Sequence, residues 1–275
     1  MRHVLYALTL AVAVALAATA PASNVRAQKG AGSPEVVKAL APTGKLRAAI
    51  NLGNAVLAQK SANGELGGVT VELARELGKR LGVPVELVEF RAAGRAVAAM
   101  QAGEVQLAFI AIEPKRAAQI EFSPPYVVIE GTYMVAKDSP LKAIADVDRA
   151  GIRIGTGLAS AYDLYLTRTL KNATLVRAKV GGGQASIDIF HEQKLDAAAG
   201  VRQALEAHAR KTPGVRVLGG HFMEIRQAMG TPKGRATAAR YVHGFIEEMK
   251  ASGFVAAALK RSGQGDATVA PPAAN

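Results

Sequence analysis

The chain reads as an α/β protein built in two lobes. Three observations predict it: short β-rich apolar runs alternate with helical ones, the helical runs are apolar on one face only, and the alternation starts afresh near Ala136. Such alternation builds largely parallel sheets flanked by helices.

The first series begins with a strand at residues 46–51, followed by strands at 85–90 and 105–112. Residues 71–81 put Val71, Leu73, Ala74, Leu77 and Leu81 on one side with charges between, the pattern of a helix lying on a sheet, and Gly82 stops it. In the second series, residues 140–147 lead to a strand at 152–155, which enters a helix through Thr156 to Ala161. A strand at 175–180, a helix at 184–193, a short buried strand at 197–200, a helix at 203–211 and a last strand at 215–218 follow. Helices around 234–250 and 252–260 close the pattern.

The ends read differently. Arg2 and His3 precede an apolar run over residues 4–18, and Val25-Arg26-Ala27 has small residues at both recognition positions, so residues 1–27 read as a secretory signal cleaved after Ala27. The run is shorter than the roughly 20 residues a spanning helix needs; the alternative is an uncleaved anchor. Residues 28–43, rich in Gly, Ser, Ala and Pro, read as a flexible leader, and 264–275, with Pro271-Pro272, as a disordered tail. The chain has no cysteine. That excludes a lipid-modified N-terminal cysteine, disulfides, a cysteine nucleophile and a thiolate metal site. A freely diffusing periplasmic protein fits best.

The formal charge of +12 falls to about +10 when Arg2 and Arg26 leave with the signal. Its basic residues are scattered, without a dense run, aromatic interleaving or tryptophan, so the footprint of a nucleic-acid reader is missing. Four histidines, His191, His208, His221 and His243, lack metal-ligand spacing, and no metal site or cofactor is expected.

The most informative stretch runs from Ala111 to Tyr126, where an apolar strand ends in a turn carrying Arg116. An arginine just past the carboxyl end of such a strand can present its planar fork to a carboxylate in a crevice. The alternative is a solvated turn arginine. Together with Lys45 to Ile50, Gly68 to Ala74, Lys79 to Gly82, Val83 to Val88 and Met100 to Gly103, in this order, the stretch resembles the family-3 solute-binding proteins of ABC importers. These collect polar amino acids in the bacterial periplasm, and the resemblance runs from about Gly44 to Gly263.

The resemblance implies a type II periplasmic binding protein fold, two lobes each with a mainly parallel sheet flanked by helices and joined by two hinge crossings. The first lobe would comprise residues 44–135 and 228–263, and the second, 136–227, would be inserted into it, with crossings at 131–135 and 223–228. It further implies a monomeric receptor that captures a small carboxylate-bearing solute, a polar amino acid or related organic acid, and delivers it to a membrane permease. Arg116 then pairs with the ligand carboxylate. Glu113 departs from the family's threonine or serine and either binds a ligand amine or holds Arg116. Ala111 offers a backbone group and Asn51 a polar contact, while the family's covering aromatic residue is absent after Asn51.

Ser160 and Ala161 open a helix whose amides and positive dipole end suit an anion, as in the family; otherwise Ser160 merely caps that helix. At the position where amino-acid binders carry an acid for the α-ammonium group stands Val201. Glu113, Glu130 and Glu224 are conceivable substitutes, and a carboxylate without an α-amine becomes a candidate ligand. Two other functions remain open. One is a periplasmic dehydratase of the cyclohexadienyl type, with Glu113 as general acid; the other is a sensory module acting through a separate partner.

Overall fold

The computed structural model describes residues 32–274, so the signal expected at 1–27 lies outside the described residues. Ser33, Pro34 and Glu35 spell a helix start, and the Ser33 hydroxyl accepts from the Val36 amide at 3.3 Å. The resulting α1 (Pro34–Leu40) buries Val36 and Leu40. Residues 34–40 are therefore ordered helix, where a flexible leader was expected.

The first series continues as β1 (Leu46–Asn51), a β2 (Gln59–Lys60) and β3 (Leu66–Gly67) hairpin, α2 (Val69–Leu81), β4 (Val85–Phe90), α3 (Ala93–Gln101), β5 (Leu107–Ala111), the single turn α4 (Pro114–Ala117) and β6 (Ile120–Ala136). The second consists of β7 (Arg153–Gly157), α5 (Ala161–Thr169), β8 (Thr174–Ala178), α6 (Gly183–Glu192), β9 (Ala197–Val201), α7 (Arg202–Ala209) and β10 (Val215–Val217). The chain returns through β11 (Met223–Pro232), α8 (Ala236–Ala251), α9 (Phe254–Arg261) and β12 (Thr268–Val269).

One 10-stranded sheet runs in the order β4-β1-β5-β11-β6-β9-β7-β8, with β10 and β12 added on β6. At one end β4, β1 and β5 are parallel; at the other, β9, β7 and β8 are. The antiparallel pair β6 and β11 joins them. β5 and β9 are buried at every position, as central strands covered on both faces are. On α2, Leu73 and Leu77 are fully buried, each contributing about 1.5–3 kcal/mol relative to exposure.

The register locates the crossing between the halves. Gln227 pairs with Ala111 of β5 and with Val127 of β6, whereas Gly131 already pairs with Val201 of β9 and with Met223. The passage thus falls at residues 128–130 opposite 224–226; residues 131–135, expected to form one crossing, belong to the second half's ladder. The end of the chain departs from the sequence reading as well: Thr268 and Val269 pair with Val128 and Val127, and Ala270 is buried. The tail covers backbone of β6 that would otherwise lack partners.

Candidate functional site

β1 and β5 end on the same side of the first half, so Asn51 and Ala111 reach one crevice, and the loop before α5 faces them from the second half. A small, partly enclosed cavity of about 50 Å³ lies between, lined by Asn51, Gly53, Asn54, Ala93, Ala111, Arg116, Ser160, Ala161, Tyr162, Gly182, Gly183, Val201, Ala204, Ile225 and Gln227. A larger concavity of about 390 Å³, between α1 and the start of α8, is open to solvent and far from these strand ends.

Arg116 sits on α4, directly after β5, and its side chain is drawn inward, leaving the residue 4 % exposed. Its Nη1 donates to the Ala111 carbonyl at 3.0 Å and its Nη2 to the Ala159 carbonyl at 3.0 Å, one bond in each half. Burial pushes its pKa down to about 10, while the charge of Glu113 acts in the opposite sense. The guanidinium remains protonated at neutral pH. It is a buried cation, fixed in place by carbonyl oxygens, and among the lining residues it is the one with an ionic side chain.

Opposite it, α5 begins. The Ser160 hydroxyl accepts from the Asp163 amide at 3.0 Å, so it caps its own helix. Asp163 in turn accepts from the Ala159 amide at 2.8 Å and pairs with Arg177 at 2.8 Å, which fixes the loop. The amides of Ala161 and Tyr162 have no hydrogen-bond partner among the described residues, and both residues line the cavity. Free first-turn amides at the positive end of a helix suit an anion. Tyr162 supplies an aromatic ring from the second half, although none stands after Asn51; burial raises its hydroxyl pKa to about 12.

Six residues singled out from sequence, Arg116, Ala111, Asn51, Ser160, Ala161 and Val201, meet at this cavity. Glu113 does not. Its carboxylate caps α4 at the Lys115 amide, 2.8 Å away, and pairs with Arg168 of α5, so it does not line the cavity and does not bond Arg116. Glu130 pairs with Arg202 and His221, and exposed Glu224 with Arg226. None of the three acids lines the cavity. Sequence reasoning missed Gln227, Tyr162 and Asn54, together with the glycines at the rim; the Gly181-Gly182-Gly183 run was the available signal.

Those glycines let the halves touch. Gly94 lies so close to the opposite half that a Cβ there would meet the Ala159 Cβ at 2.8 Å. Gly182 adopts φ +105° against the Arg91 carbonyl, and the neighbouring Gly183 amide donates to the Gly53 carbonyl at 3.1 Å. With the Arg116–Ala159 and Glu113–Arg168 contacts, these close the cleft over the cavity. Elsewhere, His191 and His208 bring their Nε2 atoms within 3.0 Å, a pairing their sequence separation does not forecast. Among the described residues no cluster of three or more His, Asp and Glu side chains could hold a metal ion. No helix among them is long and apolar enough to cross a membrane.

The family model of bacterial extracellular solute-binding proteins, family 3, matches residues 46–264. Among solved structures, an L-cysteine solute receptor of Neisseria gonorrhoeae is 25 % identical, with a TM-score of 0.71 over 82 % of this chain and 92 % of that one. An amino acid ABC transporter substrate-binding protein from Streptococcus pneumoniae, bound to L-arginine, is 21 % identical with a TM-score of 0.71, covering 83 % and 98 %. A reconstructed ancestral amino acid-binding protein, described as a precursor of cyclohexadienyl dehydratase, is 21 % identical with a TM-score of 0.67, covering 79 % and 94 %. No curated protein matches the chain.

Proposed function

The chain belongs to the bacterial extracellular solute-binding proteins of family 3, and from that premise we propose a periplasmic receptor that captures a small carboxylate-bearing solute between two closing lobes and delivers it to the permease of an ABC importer. One observation carries the reading. Arg116 from one half and the unpartnered amides of Ala161 and Tyr162 from the other converge on a single cavity between the halves.

A carboxylate held between them gains charge-assisted hydrogen bonds from both halves at once. An open cleft offers only one set. The anion therefore binds the closed form better, and that difference is what shifts the population toward closure. On this reading the first lobe is residues 44–127 with the C-terminal return, and the second is residues 131–223. The hinge is the pair of strand segments at 128–130 and 224–226, where the ladder passes between the parallel sets. The L-cysteine of the gonococcal receptor and the L-arginine of the pneumococcal protein each carry a carboxylate, which supports a carboxylate-bearing solute here.

A dehydratase on the same fold requires a general acid beside the bound carboxylate. Glu113 was the sequence candidate, and its engagement with Arg168 and the Lys115 amide leaves the cavity without an acid. A lining without a carboxylic acid supports the receptor reading over the dehydratase.

The test is a thermal-shift screen of the secreted protein, unfolded and refolded to strip ligand, against amino acids, hydroxy acids, keto acids and dicarboxylates. A ligand at 100 times its Kd adds about 2.7 kcal/mol, a visible rise in Tm. Chromatography should then return the bound compound unchanged. Failure of every carboxylate to stabilise the protein, or its conversion during incubation, would sink the proposal.

A further inference from the structure

The cavity's polar lining is unusual in its charge balance. It holds one guanidinium, two unpartnered helix-start amides and three carboxamides, but no carboxylate. An ammonium group placed there would be buried within a few ångströms of Arg116 with no anion of its own, and burying a cation without a partner is costly. A hydroxyl or oxo oxygen needs only a neutral hydrogen-bond partner.

Gln227 is positioned to be that partner. It is 5 % exposed and lines the cavity together with Ile225, two residues back on the same face of β11. Its carboxamide makes no hydrogen bond with any of the described residues, and its polar atoms are not sealed off but open to the cavity, free to meet a solute. It stands in register with Ala111, whose carbonyl anchors the Arg116 guanidinium at 3.0 Å, and Gln227 and Arg116 line the same cavity. The ladder is irregular between Gln227 and Ala228, the kind of bulge that re-aims a side chain. The cavity's 50 Å³ accommodates only a few water-sized groups, at roughly 10–15 Å³ for each.

We propose that the solute is a small 2-hydroxy or 2-oxo carboxylate, with its carboxylate on Arg116 and the α5 amides and its hydroxyl or oxo oxygen on the carboxamide of Gln227. The assignment rests on the receptor reading above and narrows its ligand class. A carboxamide serves either oxygen, donating to an oxo group or accepting from a hydroxyl.

Calorimetric titration with two matched series tests it: L-alanine, L-lactate and pyruvate, and L-glutamate, L-2-hydroxyglutarate and 2-oxoglutarate. In whichever series binds, the hydroxy or oxo acid should bind at least tenfold tighter than the amino acid. Tighter binding of the amino acid would overturn this inference and leave the receptor intact. Binding by neither these nor any other carboxylate would overturn both.

Gln227→Glu, nearly isosteric, should reverse the preference toward the amino acid by supplying the missing anion. Gln227→Leu should weaken the hydroxy or oxo acid about tenfold while a plain carboxylate such as propionate is affected less. An unchanged ranking in both variants, each with a cooperative melt, removes Gln227 from the site and overturns the assignment.

Discussion

Replacing Arg116 by alanine separates two roles that one side chain plays. With the cleft closed, its guanidinium makes two charge-assisted hydrogen bonds, to Ala111 and Ala159 at 3.0 Å each. Such bonds contribute about 1.5–3 kcal/mol apiece. Against them stands desolvation. With the folded pKa lowered to about 10, the protonated form at neutral pH is destabilised by about 3 kcal/mol at 1.36 kcal/mol per unit. For a base with a depressed folded pKa this penalty holds throughout the range where both states are charged and is relieved only as pH rises through 10 toward 12.5. The bonds outweigh the penalty by about 0–3 kcal/mol, less than the upper part of the range expected for binding, so Arg116→Ala should lower the Tm without ligand by no more than several degrees.

Ligand binding has no such compensation. Truncating one partner of a buried charge pair costs about 2–5 kcal/mol, a loss of about 30-fold to several thousand-fold in affinity. Titration of wild type and variant with the best carboxylate from the screen, alongside melts without ligand, reads both quantities. Undiminished affinity would refute the reasoning. So would a stability loss as large as the affinity loss, since Arg116 would then serve the fold rather than the ligand.

Two further substitutions probe closure and selectivity. Gly94→Val places branched carbons where even a Cβ would meet Ala159 at 2.8 Å; it should hold the cleft ajar and weaken binding at least tenfold with little change in ligand-free Tm, as titration and melting would report. Val201→Asp adds an acid to the lining at a position that is also the N-cap of α7, where aspartate is well tolerated. It should favour α-amino acids about tenfold over their hydroxy analogues, and an unaltered ranking in the same titrations would show that residue 201 does not face the ligand.

Most of the fold was legible because periodicity and punctuation agree. The strands at 46–51 and 85–90 coincide with those read from sequence, and the α2 face from Val71 to Leu81 was visible as spacing. The 17-residue β6 was not, because Pro124-Pro125 reads as a break. Pro125 sits opposite Ala228, where the register shifts, and a bulge tolerates a residue without an amide hydrogen. α1 was hidden by a composition typical of linkers, although Ser33-Pro34-Glu35 carried the start signal.

In the site, Arg116 and Ala161 stood out because each closes a strand-to-helix passage within one stretch of chain. Gln227 enters only through pairing of β11 with β5, a contact 116 residues apart that no local pattern encodes. Glu113 illustrates the converse: it lies three residues from Arg116 in sequence, but Arg168, 55 residues on, takes its carboxylate.

The central claim is that a carboxylate closes two lobes over Arg116, and it can be measured as a distance. Because the chain has no cysteine, Arg95→Cys and Lys179→Cys introduce two unique labelling points at exposed positions on opposite sides of the cleft. Single-molecule energy transfer between dyes at these sites should show a mixture of separations without ligand that collapses to the shorter one at saturating carboxylate, and Arg116→Ala should abolish the collapse. A separation that stays constant while titration shows the same ligand bound would contradict the account.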